Sequence, residues 1–103
     1  MSYTYWLHEK VQKDFDEAYE WYEDKKIGLG NEFLSAVEDK IAEIVANPTY
    51  FGSKGNTKYR EAFTGRFPFI IVYLLYPERK KILICTVHNA KKSIRGKYRN
   101  PNN

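Results

Sequence analysis

The stretch that decides the fold is FPFIIVYLLY, residues 67–76. Apolar residues occupy both faces of this segment, which is typical of a central β-strand covered on two sides. Its ten residues, which include Pro68, are too few to span a lipid bilayer. A polar turn at residues 77–80 follows it, and residues 81–88 are again largely apolar. The sequence therefore predicts two consecutive antiparallel strands joined by a short turn.

A further strand is predicted just before this stretch, at residues 58–64, where the pattern alternates. Tyr59, Glu61 and Phe63 fall on one face, whereas Lys58, Arg60 and Ala62 fall on the other. Gly65 and Arg66 suit a short turn into the central strand. Three strands joined by short turns form an antiparallel meander.

Residues 8–47 change to the spacing of amphipathic helices. A first helix should end near Gly28, because Gly28 and Gly30 suit a tight connection, and a second is broken by Asn47 and Pro48. The apolar stripes are Val11, Phe15, Ala18, Tyr19 and Tyr22, and then Phe33, Leu34, Val37, Ile41, Ile44 and Val45. Tyr, Thr and Trp at residues 3–7 favour a short strand before this helix hairpin.

The order strand, helix, helix and three strands predicts an α+β fold. The helix hairpin must bury its stripe against one face of the sheet, which gives a small two-layer sandwich. With 103 residues we expect one domain over residues 1–103, with a basic tail from residue 89.

Charge is divided unevenly between the two halves of the chain. Residues 1–51 carry 5 Lys+Arg against 11 Asp+Glu, a balance of −6, and residues 52–103 carry 12 against 2, a balance of +10. Such a basic half favours a polyanion or an acidic protein as partner, although the acidic half is equally explained as a solvated helical face. One cysteine excludes an internal disulfide and, with no apolar signal segment, favours a cytoplasmic protein without a membrane partner.

The cations are the residues most able to carry chemistry. They flank the predicted meander: Lys54, Lys58, Arg60 and Arg66 before the central strand, then His88, Lys91, Lys92, Arg95, Lys97 and Arg99 with Tyr98 after the last strand. If the meander brings them together, arginines could hold phosphate while Tyr98 stacks on a base. Metal-free RNA cleavage is also open: a Lys or His would deprotonate the ribose 2′-hydroxyl, and Arg66 would stabilise the phosphorane. For most single residues, a solvated surface cation is the competing interpretation.

Other kinds of site find little support in the sequence. There is no phosphate loop, dinucleotide fingerprint, nucleophile elbow or zinc spacing. With only His8, His88 and Cys85 as soft ligands, we expect no metal and no cofactor. Cys85 alternates with apolar residues on a strand, which predicts a small core residue rather than a nucleophile.

Taken in order, several short segments resemble the RelE/ParE superfamily of type II toxin–antitoxin toxins, its ParE-like branch above all. The resemblance spans roughly residues 3–90. It rests on AYEWYE at residues 18–23, Gly28-Leu29-Gly30 with Phe33-Leu34, Asn47-Pro48, Tyr59-Arg60, the strand from RFPF at residues 66–69 to Tyr73, and Val87-His88.

The resemblance implies a toxin of the kind that stabilises plasmids, held inactive by a cognate antitoxin whose acidic segment meets the basic surface. RelE-like toxins cleave mRNA on the ribosome, and ParE-like toxins poison DNA gyrase. A RelE-like enzyme would place Arg66, His88, Arg60 and Lys58 at its catalytic site. Target binding would then fall to Lys54, Lys91, Lys92, Arg95, Tyr98 and Arg99.

The segment after His88 departs from both branches. RelE-like enzymes usually carry an aromatic residue there, and ParE-like toxins usually carry Arg-Arg and an aromatic, whereas this chain has Asn89-Ala90-Lys91-Lys92. The hypothesis, which the ParE-like resemblance implies, is a gyrase poison. A ribosome-dependent endonuclease and a decayed toxin that only binds its antitoxin are the alternatives. Trp21 is expected to be a partly buried core indole; if exposed, it would serve a homodimer or antitoxin contact.

Overall fold

The computed structural model describes residues 2–52, 58–92 and 97–102. Its elements in chain order are β1 (Thr4–Leu7), α1 (Val11–Lys25), α2 (Leu29–Ala46), β2 (Arg60–Phe63), β3 (Phe69–Tyr76) and β4 (Lys81–Asn89). A short 3₁₀ turn, Pro77–Arg79, joins β3 to β4. The predicted α+β order is confirmed, although β2 and β3 begin later than predicted, β3 only after Pro68.

The four strands form one sheet in the order β1-β4-β3-β2. The antiparallel meander of β2, β3 and β4 is as predicted. β1 pairs in parallel with β4, Thr4 opposite Lys81 and Leu7 opposite Ile84. Both β3 and β4 are therefore inner strands, which explains why their sequences are apolar on both faces.

The helix hairpin packs on one face of this sheet. Val11, Phe33, Val37 and Ile44 are fully buried against Ile71, Tyr73, Ile82 and Ile84 of the inner strands. The hairpin closes where predicted. Gly28 has a φ of 89°, and the Glu23 carboxylate accepts hydrogen bonds from the backbone N–H groups of Gly28 (2.9 Å) and Gly30 (3.0 Å). A residue of α1 thereby caps the first turn of α2.

Trp21 does not belong to this core. Its side chain is 58% exposed, so the expectation of a partly buried indole is wrong. Val11, Ala18 and Tyr22 lie on the face of α1 turned to the sheet, and Trp21 lies beside that stripe with Lys25 4.5 Å above its ring. Tyr22 contacts the ring in a T-shaped arrangement, and Lys25 lies over its face.

A register shift lies at the middle of the β3–β4 pair. Tyr73 is opposite Ile84 and Val72 is opposite Thr86, so Cys85 is an extra residue on β4. Because Val87 packs in the helix-side core, Thr86 and His88 face the opposite side of the sheet. Cys85 is fully buried, as predicted, and burial raises the pKa of its thiol to about 11.

Within the described ranges, no helix is both long and apolar enough to cross a membrane.

Candidate functional site

The face of the sheet opposite the helices carries the main cluster of polar groups; we call it the helix-free face. Its floor is Leu74, Leu83 and Cys85, which Tyr59 and Tyr76 partly cover. The predicted alternation of β2 is confirmed, because Ala62 packs in the helix-side core while Tyr59 packs on the helix-free face. Glu61 is consequently carried onto the same face as Tyr59.

Glu61 is the buried carboxylate of this face, with a side chain only 6% exposed. Lys97 Nζ lies 3.1 Å from Glu61 Oε1, and the Tyr98 hydroxyl donates to Oε2. The Tyr98 ring packs against Tyr59 with centroids 5.1 Å apart. A carboxylate this buried needs such partners, because removing its charge from water without a compensating hydrogen bond or ion pair costs roughly several kcal/mol.

The contacts with Glu61 also shift the pKa values of Lys97 and Tyr98. Burial by itself would lower the pKa of Lys97, but the hydrogen bond and charge of Glu61 outweigh it and raise that pKa above its ordinary value. The hydrogen bond to Glu61, and then burial, raise the pKa of Tyr98. Lys97 is therefore held as ammonium and Tyr98 as a neutral donor at physiological pH.

Arg99 fastens the C-terminal residues to the body of the protein. Its guanidinium makes two 3.0 Å hydrogen bonds to the Asp14 carboxylate and one of 3.1 Å to the carbonyl of Cys85. Asp14 Oδ2 also accepts from the backbone N–H of Val87 at 3.0 Å. The pair thus satisfies backbone groups of β4 beyond the end of β1.

Two hydrogen bonds to backbone carbonyls hold the same segment further. The Tyr59 hydroxyl donates to the carbonyl of Arg99 (3.1 Å), and His8 Nε2 lies 3.0 Å from the carbonyl of Asn100. Lys97 and Tyr98 therefore lie on the helix-free face as part of the Glu61 cluster, and Arg99 and Asn100 hold the segment to Asp14 and His8.

His88 lies on the same face, one residue before the end of β4. Its Nε2 atom is buried and has no hydrogen-bond partner within the described parts of the chain; the same holds for Thr86 Oγ1. Burial, and then the charge of Lys97, lower the pKa of His88, against the opposing effects of Asp14 and Glu61. A neutral imidazole with an unpaired ring nitrogen can accept a proton or a hydrogen bond, and Lys97 can stabilise an anion beside it.

The arginines of the predicted cleavage set lie elsewhere. Arg66 pairs with Glu32 in the first turn of α2 at 2.6 Å and sits 4.9 Å above the Phe67 ring, on the helix side of the sheet. Arg60 donates to the carbonyls of Phe51 (2.7 Å) and Thr49 (3.4 Å), which ties the loop after α2 to β2. Neither guanidinium is brought to His88.

Some of the predicted target-binding residues are exposed, and others are held by contacts within the protein. Lys91 and Lys92 are exposed in the turn after β4, and no acidic side chain pairs with either in the described segments. Tyr98 and Arg99 are held by Glu61 and Asp14. Lys58, which belongs to the predicted cleavage set, is exposed, with its Nζ 5.9 Å from the Tyr59 ring centre. Lys54 and Arg95 lie outside the described residues.

Sequence reasoning missed two members of this site, Glu61 and Asp14. Glu61 did leave a signal: it is one of only two acids in residues 52–103, and it alternates with Tyr59 on a strand. Asp14 left none, because it is one of many acids on α1. For metal binding, the described segments contain no cluster of three or more His, Cys, Asp or Glu side chains.

No protein-family model matches the sequence, and the comparison with curated proteins gives no match. Solved structures do match. The isolated E. coli RelE toxin aligns with a TM-score of 0.66 at 16% identity, covering 88% of this chain and 87% of that one. The E. coli RelBE toxin–antitoxin complex aligns at 0.66 and 15% identity, over 87% and 99%. The chromosomal ParDE system of P. aeruginosa aligns at 0.61 and 22% identity, over 88% and 98%.

The chain has the RelE/ParE fold. The resemblance drawn from the short sequence segments is therefore confirmed at the level of the fold. RelE and ParE structures both match over most of their length, so the RelE/ParE fold by itself does not choose between the two branches.

Proposed function

We propose that the protein is the toxin of a type II toxin–antitoxin pair, that a cognate antitoxin chain neutralises it, and that it inhibits growth by poisoning DNA gyrase. The RelE/ParE fold supports the first part, since a toxin and two toxin–antitoxin systems share it. We take residues 1–103 to form one such toxin domain.

The placement of Arg66 favours the gyrase branch over RNA cleavage. Cleavage through the predicted set needs Arg66 beside His88, where the guanidinium would meet the developing phosphorane charge. Arg66 instead pairs with Glu32 on the helix side, and Arg60 holds loop carbonyls. Arg60 is thus committed to contacts within the fold, whereas Arg66 is 61% exposed and lies away from His88.

One observation supports a ribosome-dependent endonuclease as second candidate. His88 presents a buried Nε2 that has no hydrogen-bond partner among the described residues, next to the charges of Lys97 and Glu61. In that mechanism neutral His88 would accept the 2′-hydroxyl proton as the 2′-oxygen attacks phosphorus. Lys97 and Tyr98 would exchange their contacts with Glu61 for the substrate, Lys97 stabilising the phosphorane and Tyr98 donating its proton to the leaving oxygen as the P–O bond breaks. It requires no guanidinium at the reacting phosphate.

Inducible expression in a bacterial host tests both candidates, with mRNA 5′ ends and DNA double-strand breaks mapped from the same culture. Gyrase poisoning predicts breaks and an SOS response without cuts at a fixed codon position, and His88→Asn should retain them. Cuts at a fixed codon position that His88→Asn reduces by about 100-fold would replace the proposal with the second candidate.

Arg79→Ala is the matched control. Arg79 is an exposed cation of the 3₁₀ turn, and it belongs neither to the Glu61 cluster nor to the predicted cleavage set. It should change neither readout. Normal growth on expression, together with tight binding of an antitoxin, would leave only the decayed toxin and would refute growth inhibition.

A further inference from the structure

Both histidines of the chain lie against residues 97–102, a segment that we call the C-terminal clasp. His8, just before α1, contacts the carbonyl of Asn100. His88, near the end of β4, lies close enough to Lys97 for the ammonium charge to act on its imidazole. Histidine is the side chain whose charge ordinarily changes between pH 5 and 8. Each end of the clasp therefore meets a group that titrates in this range.

The hydrogen bonds of His8 require one neutral form of its ring. Nδ1 accepts a 3.1 Å hydrogen bond from the backbone N–H of Lys10. A carbonyl oxygen can only accept, so the proton lies on Nε2, which donates to the Asn100 carbonyl at 3.0 Å. The neighbouring Glu9 is exposed, whereas His8 is only 5% exposed. Both ring nitrogens are thus committed in a buried position.

Protonation of His8 would break this arrangement. A second N–H, on Nδ1, would face the N–H of Lys10, and two opposed donors form no hydrogen bond. A turn of the ring that relieves this conflict also moves Nε2 away from the Asn100 carbonyl. The charged groups of the adjoining α1 and clasp, Asp14 and Arg99, pair with each other at 3.0 Å. Because this pair has no net charge, it offers protonated His8 little compensation.

His88 acts on the other end of the clasp. The charged groups that face it are Lys97, Asp14 and Glu61, and the Lys92 backbone adds a hydrogen bond. Burial, and then the charge of Lys97, lower the pKa of His88, so the closed clasp favours the neutral imidazole. Protonated His88 would repel Lys97 and compete with it for the Glu61 carboxylate, which lies 3.1 Å from Lys97 Nζ.

The middle of the clasp depends on neither histidine. Arg99 donates twice to Asp14 at 3.0 Å and once to the carbonyl of Cys85 at 3.1 Å. Arginine stays charged throughout the range in which histidine titrates, and carboxylates as a class lose their charge at lower pH. The Arg99 contacts should therefore persist when the contacts on either side of them are lost.

We propose that residues 97–102 form a pH-sensitive clasp between the helix-free face and the start of α1, closed while the two histidines are neutral and opened at both ends around Arg99 when they gain protons. Opening releases Lys97 and Tyr98 from Glu61. Closure is complete above the range in which the histidines titrate and is lost as the pH falls through it. The clasp does not rest on the proposed function, since it follows from contacts within the chain.

NMR of the full chain, titrated from about pH 7.5 to about pH 5, tests the clasp. Nuclear Overhauser signals should connect the rings of Tyr59 and Tyr98, whose centroids lie 5.1 Å apart, and the His8 ring with Asn100 at the upper pH. Both sets of signals should be lost at the lower pH, each with the midpoint of the adjacent histidine. Signals that persist after both rings are protonated would overturn the proposal.

Two single variants serve as controls for each other. His8→Gln keeps a neutral side chain that can accept and donate, so it should hold the Asn100 end closed while the Tyr98 end still opens. His88→Asn should do the reverse. The double variant contains no histidine and should stay closed at both ends. Opening of the double variant at the lower pH would assign the effect to carboxylates and would overturn the proposal.

The contacts of Arg99 distinguish opening at the ends from release of the whole segment. Signals between Arg99 and Asp14 should persist across the titration in the wild type and in each variant. Their loss together with the other contacts would refute opening around Arg99. Dispersed amide signals from β3 and β4 show that a variant is folded, and the wild-type titration decides the proposal if a variant is not.

Discussion

Removing the Asp14 carboxylate should destabilise the fold by much more than a surface charge would. Asp14 and Arg99 are only 13% and 19% exposed, and their two hydrogen bonds of 3.0 Å join positions 85 residues apart. Asp14→Ala leaves the Arg99 guanidinium with only the Cys85 carbonyl as acceptor and the N–H of Val87 without its side-chain acceptor. Breaking a fully buried pair costs about 3–5 kcal/mol and an exposed pair about 0–1, so this partly buried pair should cost about 2–4 kcal/mol.

Urea unfolding of a double-mutant cycle measures this contribution. Asp14→Ala, Arg99→Met and the double variant should give a coupling energy of about 1–3 kcal/mol, and Asp14→Ala should lower Tm by about 10–20 °C. The matched cycle is Lys13→Met with Glu17→Ala, a pair 3.9 Å apart with side chains 78% and 61% exposed. Its coupling should be about 0.3–0.5 kcal/mol.

A coupling energy below about 0.5 kcal/mol for Asp14 and Arg99 would refute the reasoning. It would mean that residues 97–102 are not fastened to the sheet through this pair. The arrangement of Lys97 and Tyr98 around Glu61 would then lack its anchor.

Three further substitutions have defined outcomes. Burial and the charge of Lys97 hold the pKa of His88 below its ordinary 6.5, so the stability that neutral His88 supplies is complete above that pH and is lost as the pH falls through the folded pKa. The urea midpoint should therefore fall less between about pH 7.5 and pH 5.5 in His88→Asn than in wild type, and an equal fall would contradict it. Tyr73 is fully buried, donates to the Pro48 carbonyl at 2.6 Å and has a pKa raised to about 12 by burial, so Tyr73→Phe should cost about 1–2 kcal/mol of unfolding free energy. Tyr50→Phe, at a 75% exposed residue, should stay within about 0.5 kcal/mol. A Cβ on Gly30 would lie 2.7 Å from the Tyr19 ring, so Gly30→Ala should cost about 1–3 kcal/mol despite the better helix propensity of Ala, whereas Gly52→Ala meets no atom within 4 Å and should be nearly neutral by the same denaturation assay.

Local patterns predicted most of this fold because each pattern has a local physical cause. The stripe from Phe33 to Ile44 is the buried face of α2, and Gly28 closes the hairpin because its positive φ suits a residue without a Cβ. Such local patterns could not predict the parallel pairing of β1 with β4. Nothing in the four residues Thr4–Leu7 specifies a partner strand more than 70 residues away in the chain.

The site was harder to predict than the fold, because it depends on which face of the sheet each side chain lies on. Arg66 and His88 lie toward the same end of the β3–β4 pair, yet Arg66 lies on the helix side, where it pairs with Glu32. The extra residue at Cys85 also shifts the alternation of β4, so that Thr86 and His88 share the helix-free face. A bulge of this kind cannot be read from apolar residues that continue on both sides of it.

The uneven charge of the chain has a partly internal explanation. Asp14 and Glu32 from the acidic half pair with Arg99 and Arg66 from the basic half, so some of the complementarity that suggested external partners holds the protein's own elements together. Within the described segments, the charges without an ion pair include Asp16 and Glu38 on the helix hairpin, and Lys91 with Lys92 after β4. A partner that engaged both would need a basic segment at the first and an acidic segment at the second. A uniformly acidic chain would be attracted to the lysines and repelled by the two acids.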